Sequence, residues 1–538
     1  VSLLGLFDIS KSALFASQAG LYVTGHNIAN VNTPGYNRQE VVLETARPVA
    51  TRGGFLGRGV RVVGIKRHFD RFIYNQLLVQ TESRGKFQAL SESLNQIEQI
   101  FNEARDTGLS GVLTEFANAW QDVATNPESV PHRTVLLKKA AALLMTAKGM
   151  EQRIMDTLDN INTSLEDIVE RINFIASEIA RLNGKIMQME AGLGYEKAND
   201  LRDQREQLLL ELSELVDISY YEDKDGSVTV IVGMRNLVEK ENSKRLLTRT
   251  DTTGGRDIYI GNTDITEQLK GGRLGGLLAV REDIVNEPLY GLRRLIASII
   301  KEINILHRSG YGLDGTTGNN FFSPLKLYTE DHSPGASISA SIIDLNQLTL
   351  DEYTITFEGT NYYVYNKQSG TLVTSGVYVS GSPIVFEGIE VVITGTVTDS
   401  DSFTVSPLTG VIRDASVAIT DPLSIAAASS DTTLPGDNSN ALAIARLFDL
   451  PITTLADNTF SDYYSGIVST VGAKSRFASD SLRFEENLLD EIKNRRESIS
   501  GVSLDEEALN LIKFQRAFEA SARMIRVTDE ILQTILNL

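Results

Sequence analysis

Cysteine is absent from all 538 residues. That excludes disulfides, thiolate metal sites and cysteine nucleophiles. A cytosolic chain of this length usually holds several cysteines. Zero suits a protein that ends up outside the cell without crossing a disulfide-forming compartment. No apolar run reaches the ~18 residues that a membrane span needs. The start lacks the basic n-region of a signal peptide, and Asp8 and Lys11 interrupt any apolar stretch there. Only five histidines occur, His26, His68, His132, His307 and His332, and none forms an H-E-x-x-H or another ligand pair. No G-x-S-x-G elbow is present. Trp120 is the single tryptophan, which disfavours a carbohydrate platform. These absences point away from an enzyme, and no catalytic residue, metal or cofactor is expected.

One motif needs weighing. Gly310-Tyr311-Gly312-Leu313-Asp314-Gly315 fits G-x-G-x-x-G. The dinucleotide fingerprint needs a strand before it and a helix after it. Here the pattern follows a helix and runs into Thr-Thr-Gly-Asn-Asn-Phe-Phe, so it reads as a glycine-rich loop. Net charge is −19, which argues against nucleic acid as a partner. The balance is uneven, because residues 1–67 hold eight Lys/Arg and three Asp/Glu.

What the chain does have is one rhythm at both ends. Phe7, Leu14, Leu21 and Ile28 stand seven apart, as do Leu504, Leu511, Phe518, Ile525 and Leu532. Seven-residue spacing marks a narrow apolar seam on a helix that winds against another helix. Flanking positions are small or polar: Ser10, Ser17 and Thr24 in one, Ser521 and Thr528 in the other. Neither helix buries enough surface alone, so the ends are built to find each other or other copies of the chain.

Between the ends the pattern predicts helix over 2–30, with Asn30 as a left-handed cap. Thr33-Pro34-Gly35-Tyr36 reads as a type II turn. Strands follow at 38–46 and 58–66, and helix resumes near Asp70. The longest pattern is Ala140, Ala147, Ile154, Ile161, Ile168, Ile175, Leu182 and Met189, with Leu158, Leu165, Ile172, Ile179 and Ile186 four residues on from the later members. A helix over 131–190 would run roughly 90 Å, ending at Gly192 and Gly194. A second helix with Leu201, Leu208, Leu212 and Leu215 would fold back on it. Asp225-Gly226 announces a hairpin. Helix is expected again at 284–308, and residues 325–420 read as strands. Ser503 with Glu506 forms a capping box that starts the final helix.

The fold class expected is α+β, mainly α: an elongated, multi-domain rod of long helices with an inserted β domain. The expected division is 1–36 with 501–538 as paired terminal helices. Residues 37–217, 263–324 and 436–500 would form the helical rod. A small β element lies at 218–262 and an exposed β domain at 325–435.

Ser2-Leu3-Leu4-Gly5-Leu6-Phe7 and Ala29-Asn30-Val31-Asn32-Thr33-Pro34-Gly35-Tyr36 resemble the shared N-terminal motif of bacterial flagellar rod, hook and hook-associated proteins. Asn37-Arg38-Gln39 continues it. Gly57-Arg58-Gly59-Val60, Arg67-His68-Phe69-Asp70-Arg71-Phe72, Asn199-Asp200-Leu201-Arg202-Asp203-Gln204-Arg205 and Gly271-Gly272-Arg273-Leu274-Gly275-Gly276-Leu277-Leu278 narrow the likeness to the hook-associated protein 1 family of hook–filament junction proteins. The His307 to Phe322 loop, Ser503 to Ala508 and Phe514 to Ala517 are similar as well. Residues 325–435 carry no motif of the family.

The resemblance implies a structural protein of the flagellar axis, exported through the type III apparatus and assembled between hook and filament. Implied partners are copies of itself, the hook protein, the next hook-associated protein on the filament side, and a cytoplasmic export chaperone at the C-terminal helix. Neither nucleic acid nor membrane insertion is implied. The expected assembly interface comprises Leu4, Phe7, Leu14, Leu21, Ile28, Asn30, Asn32, Thr33, Pro34, Gly35 and Tyr36 with Leu504, Leu511, Phe518, Ile525 and Leu532. Two rivals stand beside this: another axial protein such as hook or rod, and a secreted enzyme or adhesin acting through the β domain. The long helical hairpin argues against the hook protein, and an activity screen on 325–435 separates the other.

Overall fold

The computed structural model of the chain describes residues 3–51, 54–102, 108–191, 197–251, 254–331, 333, 335–399 and 401–537. The architecture is mixed α+β and mainly helical, with inserted β-sheets. Helices are α1 (Leu3–Ala29), α2 (Arg71–Phe101), α3 (Leu109–Thr125), α4 (Val130–Glu190), α5 (Asn199–Leu215), α6 (Gly272–Ile284), α7 (Tyr290–Ser309), α8 (Val411–Asp414), α9 (Ser439–Arg446), α10 (Phe460–Ser500) and α11 (Leu504–Leu536). Two compact units result. One is Val1–Ser91, Ile161–Ala279 and Ala478–Leu538; the other is Glu92–Asn160 and Val280–Phe477.

In the first unit, α1 and α11 pack along each other. Strands β1 (Gln39–Thr45) and β4 (Val60–Arg67) form an antiparallel ribbon from Gln39↔Arg67 to Thr45↔Val60. Its tip is a smaller hairpin of β2 (Val49–Thr51) and β3 (Gly54–Leu56). The ribbon lies on α1. The Val60 N–H donates to Ser12 Oγ at 3.2 Å, and a Cβ on Gly59, whose φ is +91°, would stand 2.1 Å from that oxygen. Only glycine fits there. Seven further short strands, β5 (Ser219–Glu222) to β11 (Thr263–Asp264), make a four-stranded and a three-stranded sheet. The predicted Asp225-Gly226 turn is present, with Gly226 at φ +85°.

Helix α4 runs 61 residues, within a residue of the expected start. Its predicted end at Gly192 and Gly194 lies outside the described residues. The expected sevenfold seam needs correction. Ala140, Ala147, Ile154, Ile161, Ile175 and Leu182 are buried, but Ile168 is half-buried and Met189 is exposed. Leu158, Leu165, Ile172, Ile179 and Ile186, expected four residues on, are buried with them, as is Val169. Helix α6 lies inside the expected rod segment 263–324 but ahead of the helix expected at 284–308; its Gly271-Gly272-Arg273 start hides its period.

In the second unit, Phe116, Trp120, Phe321, Phe322, Phe448 and Phe460 form one aromatic cluster, with ring centroids 4.9 to 6.4 Å apart. Strands β12 (Tyr328–Asp331) to β19 (Ser402–Ser406) form a five-stranded sheet ordered β12-β19-β14-β15-β16 and a three-stranded sheet ordered β13-β18-β17. The glycine-rich loop after α7 is structural. N–H groups of the kind that cradle phosphate are taken: Tyr311 donates to Ala428 O, Gly312 to Thr316 O and Leu313 to Leu423 O. His307 beside it is buried, bridging Asn319 O and the Ala426 N–H, and burial lowers its pKa to about 4.

Candidate assembly interface

Helix α1 carries a sevenfold line of small residues, Ser10, Ser17 and Thr24, and these are buried. Ser521 and Thr528 of α11 are buried in the same way. The hydroxyls of Ser10, Ser17, Ser521 and Thr528 donate back to the carbonyl four residues earlier, at 2.7 to 2.8 Å. So satisfied, a hydroxyl side chain packs like a small apolar one and lets two helices come close. At Gly20 the contact is tight: an added Cβ would meet the Phe514 ring at 2.5 Å.

This reverses the expected roles within the pair. The small positions draw its contact line. Phe7, Leu14, Leu21 and Ile28 flank it, half-buried, as do Phe518, Ile525 and Leu532. Leu504 and Leu511 are exposed. Leu4 lies in α1, but its side chain is outside the described residues.

The same helices keep large apolar groups in solvent. On α1, Tyr22 is 74% exposed and Phe15 53%. On α11, Leu509, Ile512, Val527, Ile531 and Ile535 are exposed. At 3.6 residues per turn the five fall within an arc of roughly 140° on one side of the helix. That second stripe escaped notice, because Arg516, Ala520 and Arg523 break its apolar rhythm.

The chain leaves α1 through the predicted turn. Tyr36 N–H donates to Thr33 O at 3.2 Å, and Gly35 has φ +78°, which together make the type II geometry. Asn30 departs from expectation. It is not among the described non-glycine residues with positive φ. Its side chain ends the helix instead, with Nδ2 donating to His26 O at 3.0 Å and Oδ1 accepting from Thr33 Oγ1. Asn32, Thr33 and Pro34 are exposed, whereas Tyr36 is buried.

A polar clamp holds this turn. Asn27 Oδ1 accepts from the Tyr36 hydroxyl at 2.7 Å and the Gln39 N–H at 3.0 Å, while its Nδ2 donates to Gln39 O at 2.9 Å. Asp203 of α5 accepts from the Asn37 N–H at 3.1 Å and Asn37 Nδ2 at 2.7 Å, and pairs with Arg67. Arg67 also forks onto Glu206 at 2.8 and 3.1 Å. Burial pushes the Asp203 and Glu206 carboxyls above their ordinary range against the pull of Arg67. Burial, then Asp200 and Asp203, raise the Tyr36 phenol as well. Arg496 donates to Tyr36 O at 3.2 Å, the Arg38 N–H donates to Ser500 O at 2.9 Å, and Arg38 pairs with Glu506. The turn is thereby tied to the end of α10 and the start of α11. A cavity of about 430 Å³ opens beside it, lined in part by His26, Pro34, Tyr36, Asp200 and Gln207.

Most of the clamp escaped the sequence reading. A signal existed: Asp200, Asp203 and Glu206 recur every third residue on α5, one helix face of acids. In the first half of α5 the buried side chains are Arg202, Asp203 and Arg205, while Leu201 is half-buried. Among the described residues no three His, Asp or Glu side chains gather as a metal site. Among the described residues no helix is long and apolar enough to cross a membrane.

Family models match in four places. Residues 7–37 match the flagella basal body rod protein and 495–538 the flagellar basal body rod FlgEFG protein C-terminal region. Both terminal matches mark a flagellar axial protein. Residues 94–322 match the flagellar hook-associated protein FlgK helical domain, and 328–407 the flagellar hook-associated protein 1 D2-like domain. The flagellar hook-associated protein 1 of Escherichia coli (strain K12) is 30% identical, over 99% of both chains. That of Salmonella typhimurium (strain LT2) is 31% identical, again over 99% of both. The flagellar hook junction protein FlgK from Burkholderia pseudomallei shares the fold at a TM-score of 0.69, with 19% identity, 79% of this chain and 100% of that chain covered. The chain belongs to the flagellar hook-associated protein 1 family. It is a structural protein of the flagellar axis that joins hook to filament.

Proposed function

We propose that copies of this chain assemble through the α1–α11 pair, with the exposed apolar side chains of both helices as the contact surface. The observation that carries this is the free stripe Leu509, Ile512, Val527, Ile531 and Ile535, on a helix whose other face is already packed. Several large apolar side chains left exposed on one side of a packed helix suit an interaction site. The residues 30–36 would then set the angle at which the chain leaves the inner layer, held by Asn27, Asp203 and Arg67. The pair would line an inner tube, the long helices an outer layer, and residues 325–435 the outer face.

On this reading the protein acts by position and not by catalysis. It is exported through the flagellar type III apparatus, with a cytoplasmic chaperone covering the C-terminal helix, and works outside the cell. The hook protein lies on one side and the next hook-associated protein on the other. The test is to add purified chain to isolated hooks that lack a junction and to image them. A cap at the distal hook end is expected; no binding, or binding all along the shaft, would overturn the reading.

A further inference from the structure

The β1–β4 hairpin is strongly basic and has uncovered apolar side chains. Residues 37–67 hold seven Lys/Arg against two Asp/Glu, in a chain of net charge −19. Several cations are engaged within the subunit: Arg38 with Glu506, Arg58 with Asp8 at 3.4 Å, Arg61 with Glu44 at 2.9 Å, and Arg67 with Asp203 and Glu206. Arg47 and Lys66 carry no ion pair among the described residues. At the tip Phe55 is 78% exposed, beside its exposed neighbours Val49 and Leu56. Leu43 and Val62, paired across the ribbon, extend the exposed apolar surface.

A complementary surface lies on the same chain. Leu504, Leu509 and Ile512 are exposed at the start of α11. Asp505, Glu506 and Glu507 fill its first turn, and no Lys or Arg occurs before Lys513. Within one subunit the hairpin reaches this region only at its base, through Arg38 and Glu506. Further along, it lies on α1, at Ser12 and Asp8. On α11, Glu506 is taken by Arg38 and Glu507 is buried, whereas the side chains of Leu504, Asp505, Leu509 and Ile512, like those of Val49, Phe55 and Leu56 on the hairpin, are exposed.

We propose that the hairpin tip of one copy docks on Leu504–Ile512 of a neighbouring copy. Phe55, Val49 and Leu56 cover Leu504, Leu509 and Ile512, and Arg47 faces Asp505. The inference rests on the reading that copies assemble through the terminal helices, and it names what covers one end of the free stripe. Two different patches meet, so the contact is head-to-tail and propagates around a ring or a helical layer; it does not close on a two-fold axis. Opposite charges around an apolar centre also fix the register and disfavour wrong partners.

The cysteine-free chain makes the test direct. Two proteins are prepared, Phe55→Cys and Leu509→Cys, with different mass tags, mixed, added to isolated hooks and treated with a short thiol cross-linker. Cross-linked pairs of unlike tags are expected on hooks and not among free subunits. Normal incorporation of both without such pairs overturns the proposal. Wild-type protein that does not bind the same hooks would instead tell against terminal-helix assembly itself. If the cysteine variants do not incorporate where wild type does, the charges decide. Arg47→Glu and Asp505→Arg should each lower incorporation by about tenfold, and the double variant should recover it. Singles that behave as wild type, or a double no better than the singles, overturn the proposal.

Discussion

The ring of Phe514 lies against Gly20, so close that a Cβ on Gly20 would stand 2.5 Å from it. Here α1 and α11 need the bare backbone of glycine. Ser17 and Thr24 continue the same narrow face. The pair is therefore close-packed by small side chains.

Gly20→Val should push the helices apart and loosen the pair without touching the sheets or α4. In the free subunit, hydrogen exchange should speed up over 3–29 and 504–536. The exchange of α4 within 161–190 should stay unchanged. A variant with wild-type exchange at both ends would show that the Phe514 ring moves aside at little cost.

Asn27 holds three polar groups of the turn. Asn27→Ala leaves them without their partner and should cost about 2–4 kcal/mol, because unmatched buried polar groups are expensive. Tyr36→Phe removes one bond and should cost about 1 kcal/mol. Denaturant unfolding measures both. Equal losses would mean that the backbone of Gln39 finds other partners.

Two carboxylates give opposite pH responses. Glu82 is pushed from 4.5 to about 7 by burial and by Asp217, with Lys86 opposing. Its raised value means that the folded state holds the proton more tightly, so its contribution falls as pH rises from 4.5 to about 7. For Glu190 burial pulls upward, but Arg202, the Ala198 N–H and Lys197 outweigh it and bring it to about 2. Its contribution is present above 4.5 and is lost as pH falls towards 2. Glu82→Gln should flatten the stability curve between 4.5 and 7, and Glu190→Gln should flatten it below 4.5. An unchanged slope in either variant would contradict the assignment.

Much of the fold was legible in the sequence, for identifiable reasons. Helix α4 stood out because its apolar residues repeat over many turns, and the turn at Pro34-Gly35 because each residue fixes one dihedral. The packing line of α1 was misread because size, not hydropathy, decides a close helix contact; Ser10, Ser17 and Thr24 looked like the weak side of the seam. The clamp around Tyr36 joins residues more than 160 positions apart, such as Asn37 and Asp203. No local pattern announces such a pairing. The buried charges of α5 contradict its hydropathy and make sense only against distant partners: Arg67 for Asp203, Glu190 for Arg202, and Asn183 with Gly226 O for Arg205.

Within α4 the departure at Ile168 can be tested against a neighbouring core position. Ile172 is fully buried, so Ile172→Asp should destabilise by about 3–5 kcal/mol. Ile168→Asp, at a half-buried site, should cost clearly less. Equal losses in denaturant unfolding would restore the strict sevenfold seam.

Removal of residues 504–538 is the most direct test of assembly through the chain ends. The truncated protein, purified and added to isolated hooks, bypasses export and any chaperone. Its unfolding midpoint should stay close to that of the full chain, because the α4 stripe and the aromatic cluster lie outside 504–538. Incorporation onto hooks, measured beside it, should be lost. A truncated protein that caps hooks as well as the full chain would contradict the account.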